Sequence, residues 1–100
     1  MLKDFRAYQL AKEIYFSCKN IKVSYPLQDQ LLRASSSIVL NVAEGSGKPT
    51  TAEQRRFYGI ALGSLRECTA ILELEKIQDE ILSDHLDQLG AILYKLSTRN

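Results

Sequence analysis

Apolar residues return every third or fourth position through four stretches of the chain, and only three breaks interrupt them. That period stacks side chains on one face of an α-helix. The first stretch runs from about Asp4 to Asn20, with Phe5, Tyr8, Ala11, Ile14, Tyr15 and Cys18 on one side. Pro26 disfavours helical geometry at Tyr25 but suits the start of a new helix. The second stretch spans residues 27–44. Leu27, Leu31, Ala34, Ser35, Ile38 and Val42 make one stripe, and Leu32, Val39 and Ala43 an adjoining one. Two stripes on one helix require two packed neighbours, or one neighbour and another subunit. The run Ala34-Ser35-Ser36-Ser37 permits close helix approach.

Gly45-Ser46-Gly47-Lys48-Pro49 is the clearest break. Gly45 is expected to end the second helix in a left-handed conformation, which glycine adopts readily. Thr50 with Glu53, or Thr51 with Gln54, fits a capping box that opens a third helix over residues 51–76. Its core stripe is Phe57, Ala61, Ser64 or Leu65, Cys68, and Ile71 or Leu72. Gly59 and Gly63 each disfavour a helix by ~1 kcal/mol against alanine. Their presence predicts close packing against another backbone. Ser83 is a plausible N-cap for a fourth helix over residues 83–97, in which Leu86, Leu89, Leu93 and Leu96 form a bundle-type seam. Four amphipathic helices joined by short loops bury most economically as an antiparallel up-down-up-down four-helix bundle. The expected fold is thus all-α, one domain over residues 1–100.

Nothing in the composition opposes this. The chain is 45% hydrophobic and 25% charged, ordinary values that exclude intrinsic disorder. No stretch approaches the roughly 20 apolar residues that cross a bilayer. The N-terminus lacks a basic-then-apolar signal pattern. These features predict a cytoplasmic protein with no membrane partner. Cys18 and Cys68 are too few and too far apart for a disulfide framework or a zinc site, and read as buried thiols. Residues 1–66 hold ten Lys/Arg against five Asp/Glu, whereas residues 67–100 hold three against seven. The split either marks a basic face for an anionic partner or is neutralised across neighbouring helices. Neutralisation is favoured, because packed helices mix their surfaces.

Catalytic patterns fail one by one. Gly45-Ser46-Gly47-Lys48 lacks the first glycine of a phosphate loop and has Pro49 where Ser or Thr is needed. It reads as a helix-ending turn, although N–H groups at the start of the third helix attract anions there. His85, the single histidine, reads as a solvated helix residue. No Glu-x-x-His pair offers a di-metal site. No enzymatic activity, metal or cofactor is expected. Arg33, Ser37, Asn41 and Glu44 share one face of the second helix, and Arg56, Gly63, Ser64 and Glu67 lie on the third. A half-buried Arg33–Glu67 pair would fix helix register, with Asn41 and Ser64 satisfying backbone groups. The alternative use of these residues is a ligand groove.

Residues 30–72, QLLRASSSIVLNVAEGSGKPTTAEQRRFYGIALGSLRECTAIL, closely resemble the four-helix bundle protein family. That family includes proteins encoded by intervening sequences in bacterial 23S ribosomal RNA genes. A related branch is the accessory variability determinant of diversity-generating retroelements. The chain matches the family pattern at Gln30, Arg33, Ala34, Ser37, Ile38, Asn41, Ala43, Glu44 and Gly45, and again at Arg56, Phe57, Ala61, Gly63, Ser64 and Glu67. The outer helices match in length and periodicity alone. The resemblance implies an antiparallel bundle that assembles as a ring-like homopentamer, with no established enzymatic activity. For the retroelement branch it implies binding to nucleic acid and to a reverse transcriptase through a basic surface. A near-neutral chain with an acidic second half departs from that branch and favours an intervening-sequence or stand-alone member.

Two functions follow. One is an accessory protein that binds RNA or DNA through Lys48, Arg55, Arg56 and Arg66, with Lys19 and Lys22 as weaker additions; repetition around a ring would add weak sites by avidity. The other is a structural or protein-interaction oligomer with no nucleic-acid role, whose partner would be a neighbouring gene product.

Overall fold

A computed structural model of the protein describes residues 1–99. Asn100, the last residue of the expected domain, and the side chain of Asp4 lie outside the described part. The described residues form four helices and no strand: α1 (Arg6–Asn20), α2 (Leu27–Ser46), α3 (Thr51–Leu74) and α4 (Glu80–Thr98). Each expected helix is present; their ends differ. α1 starts later than expected because Leu2–Asp4 tighten into a separate 3-10 turn, closed by the Phe5 N–H on the Leu2 carbonyl at 3.0 Å.

α2 runs through Gly45 to Ser46, so Gly45 is not a left-handed helix terminator; among the described residues no glycine has positive φ. Gly45 is buried, and a Cβ there would stand 2.8 Å from Cε1 of Tyr58 and 3.2 Å from Cβ of Phe57. Gly45 thus leaves room for the Tyr58 ring and the Phe57 Cβ of α3. α3 opens as the capping pattern predicts, with Thr50 Oγ1 accepting the Glu53 N–H at 3.2 Å.

α3 ends at Leu74, two residues short of expectation. Lys76 adopts φ 55, its N–H bonds the Glu73 carbonyl at 3.1 Å, and the Ile77 N–H reaches back to Leu72 at 2.9 Å. This is a Schellman closure, which satisfies carbonyls at the helix end. It folds Ile77 onto the core beside α3. A lysine in the left-handed region is strained by about 1–2 kcal/mol, a strain glycine lacks. Lys76→Gly is therefore expected to stabilise the protein by about 1 kcal/mol, read as a higher urea midpoint at unchanged slope. α4 then starts three residues before Ser83, because Asp79 Oδ1 accepts the Leu82 N–H at 3.0 Å. Asp and Ser cap about equally well. The early turn after α3 puts Asp79 in place first.

Each helix packs on the next in sequence, and α1 also packs on α4, which closes a four-helix bundle with principal extents of 40 × 22 × 18 Å. Leu10, Ile14, Leu31, Ile38, Leu82, Leu89 and Leu93 are fully enclosed. α2 packs on both α1 and α3; its first stripe is largely buried, whereas Leu32, Val39 and Ala43 of the second are half-buried. The α1 stripe is rotated from the expected one: Ala7 and Leu10 join Ala11, Ile14 and Cys18, while Phe5, Tyr8 and Tyr15 lie half-buried at its edges. α3 buries Tyr58 rather than Phe57, and Leu65 rather than Ser64. Cys18 and Cys68 are fully buried. Hydrogen bonding of Cys68 toward Cys18, together with burial, pushes the Cys68 thiol up, so it stays protonated and fills space as an apolar group.

The Ser24–Glu75 contact joins the α1–α2 link to the end of α3. Glu75 Oε1 accepts the Ser24 N–H at 2.6 Å and its hydroxyl at 2.8 Å. These bonds hold the Glu75 carboxyl below the ordinary range. No helix is long and apolar enough to cross a membrane, among the described residues.

Candidate functional site

The α2–α3 link gathers cations. Lys48 Nζ lies 3.5 Å from Glu44 Oε2 and 5.1 Å from the centre of the Phe57 ring. The Arg56 guanidinium lies 5.2 Å from the same ring. Phe57 is thus a half-buried aromatic that positions two cations. Arg55 Nη1 donates to the Arg99 carbonyl at 2.9 Å, Arg99 donates to Gln54, and Gln54 Nε2 donates to the Lys48 carbonyl at 2.9 Å. Lys48, Arg55 and Arg56 therefore form one cluster. Arg99 is a fourth member that the periodicity did not reveal. Beside it opens a recess of ≈ 550 Å³, lined by Phe5, Ser46, Tyr58 and Arg99 among others. Burial raises the Tyr58 phenol pKa, and the Arg99 charge offsets part of that rise.

The other expected cations are not brought to this cluster. Arg66 is exposed and about 15 Å farther along α3 from Arg56, at 1.5 Å per residue. Lys19 and Lys22 border the α1–α2 link, which Ser24 ties to Glu75, about 30 Å along α3 from Arg55. The expected neutralisation across helices does not occur as ion pairs: Lys48–Glu44 is the one pair within 4.0 Å among the described residues. Most of the charges are exposed instead.

The motif residues of α2 and α3 divide between the core, which takes Ala34, Ile38, Gly45 and Ala61, and an outward polar face. Ser37 and Ser64 hydroxyls bond at 2.7 Å, and Asn41 Nδ2 donates to the Ser37 carbonyl at 2.9 Å and to its hydroxyl at 3.1 Å. Asn41 thus satisfies a backbone group as expected, whereas Ser64 pairs with a side chain. Gln30, Arg33, Glu44, Arg56, Gly63 and Glu67 are exposed. The half-buried Arg33–Glu67 pair does not form; both side chains point away from the helix interface. Gly59 and Gly63 are likewise exposed, and a Cβ at either would meet nothing within 4 Å, so the close packing expected there is not against another helix of the same chain. Leu40 and Ile60 on the same two helices are 63% and 42% exposed.

No cluster of three or more His, Cys, Asp or Glu residues could hold a metal among the described residues. His85 is not the solvated residue expected. It is half-buried on α4, and its Nδ1 is sealed from solvent with no hydrogen-bond partner.

No curated protein matches the chain. Its fold is similar to a crystal structure of a protein with unknown function from the S23 ribosomal protein family of Bacteroides thetaiotaomicron. The TM-score is 0.74 and the identity 23%, over 99% of this chain and 100% of that one. The family model described as 23S rRNA-intervening sequence protein matches residues 5–99. The resemblance seen in residues 30–72 thus extends over both outer helices, and the chain belongs to the 23S rRNA-intervening sequence protein family.

Proposed function

We propose that the protein is a non-enzymatic, cytoplasmic homo-oligomer that binds RNA through the Lys48–Arg55–Arg56 cluster. In this reading the helices run up-down-up-down and α2–α3 faces of neighbouring copies meet in a ring of five. The bundle's cross-contacts support the antiparallel course: Arg55 near the start of α3 meets Arg99 just past the end of α4, and Ser24 before α2 meets Glu75 just past the end of α3. The observation that carries the assembly is the family face itself. Arg33, Glu44, Gly63 and Glu67 match the family pattern yet make no helix-packing contact within their own chain. Two exposed aliphatic residues, Leu40 and Ile60, and two bare glycines lie on the same helices. A neighbouring copy would bury the aliphatic groups and approach closely at the glycines.

Gly63→Leu tests the assembly. Nothing inside the chain lies near Gly63, so the helix content and monomer fold should survive. Native mass spectrometry should show the multimer replaced by single chains. A variant with unchanged mass would remove the α2–α3 face from the interface. The RNA reading is tested by Arg55→Glu with Arg56→Glu. Phosphate contacts dominate such binding and weaken with salt. The double variant should lose at least about tenfold in affinity for 23S ribosomal RNA fragments at low salt, across all sequences. Equal affinity of wild type and variant would leave the second reading, an oligomer that serves a protein partner such as a neighbouring gene product.

A further inference from the structure

Beyond the basic cluster, the molecule carries a groove of the opposite sign. It opens where the Schellman turn after α3 leads into α4, and has a volume of ≈ 480 Å³. Its floor is apolar, made by Leu72, Ile77, Leu82 and Leu86. Leu72, Leu82 and Leu86 are core residues showing one edge, and Ile77 is half-buried. Its rim carries Glu73, Asp79, Glu80 and Asp87, all exposed. No lysine or arginine lines it, and none of the four carboxylates has a cation within 4.0 Å among the described residues.

We propose that this groove docks a short cationic, amphipathic segment of a partner polypeptide, with apolar side chains on the floor and Lys or Arg on the rim. Charge decides the class of occupant. Four unpaired carboxylates repel a phosphate backbone, so this surface is not an extension of the RNA site. A small hydrated cation would gain nothing from a floor of leucines. A helix with apolar residues at i, i+3, i+4 and i+7, flanked by basic residues, satisfies both halves at once. The groove therefore adds a protein-binding function at a surface separate from the RNA-binding cluster.

The test uses the full chain and a synthetic 15-residue helix of leucine and lysine in that spacing. Fluorescence anisotropy should show salt-sensitive binding, and the amide shifts it causes should concentrate in residues 69–87. Glu73→Lys with Glu80→Lys and Asp87→Lys spares the capping Asp79 and should keep the thermal midpoint near that of the wild type. It should weaken the peptide at least about tenfold, as charge reversal at a complementary rim does. A peptide with serine in place of leucine should bind at least tenfold more weakly, since the floor would be unused. Shifts scattered over the chain, equal affinity of the charge-reversed variant, or equal affinity of the serine peptide would each overturn the proposal. So would a loss of self-association in the charge-reversed variant, which would make the occupant another copy of this chain.

Discussion

Leu89→Ala is expected to remove about 2–5 kcal/mol of stability, the range for truncating an enclosed leucine when the site cannot collapse. Leu89 has no exposed surface, in the middle of the α4 seam. A chain of 100 residues has about 5–15 kcal/mol to lose. The thermal midpoint should therefore fall on the order of 10 °C or more. Leu74→Ala and Ile81→Ala are the matching controls. Both side chains are 70% exposed, and substitutions there should stay within about 0.5 kcal/mol. Urea titrations of the three variants by circular dichroism would check the contrast. Equal losses at Leu89 and Leu74 would mean that the α4 seam does not face the core.

The helices were legible because burial of one face repeats with the helix turn, and that repeat is written directly in the apolar positions. Their ends were legible where one residue marks them, as Pro26 does before α2 and Thr50 before α3. Thr50 is read correctly because its hydroxyl bonds a nearby N–H. The end of α3 is not, because Lys76 in a left-handed position carries no composition signal. Neighbouring aromatics are ambiguous for a similar reason: Phe57 and Tyr58 differ by one helical step, and Tyr58, beside Gly45 and Phe5, is the buried one. The basic cluster was legible in part. Lys48 sits on the α2–α3 link and Arg55 and Arg56 near the start of α3, so sequence proximity places them together. Arg99 joins them through a contact 44 residues away, which no local pattern encodes. Arg33 and Glu67 were paired on sign alone. They are exposed because a helix has an outer side as well as a seam, and shared periodicity does not say which of the two a polar stripe occupies.

Gly45 carries the second large expectation, and it turns on competition between helix propensity and space. Replacing a glycine inside a helix with alanine ordinarily gains about 1 kcal/mol. Gly59→Ala should show that gain in the separated chain, since nothing of its own fold lies within 4 Å of the new Cβ. At Gly45 the same atom would stand 2.8 Å from a ring carbon of Tyr58, a side chain only 3% exposed and unable to swing aside. Overpacking of this kind costs about 1–3 kcal/mol and sometimes more. Gly45→Ala is thus expected to destabilise where Gly59→Ala stabilises, and Gly45→Leu to lose more than about 3 kcal/mol as the larger side chain forces α2 from α3. Tyr58→Ala should relieve the clash, so the pair Gly45→Ala and Tyr58→Ala should be less damaging than the sum of its single changes. Strict additivity in urea would show that the two helices are not held apart by this ring. It would also mean that Gly45 matches the family pattern for some reason other than the close crossing of α2 and α3.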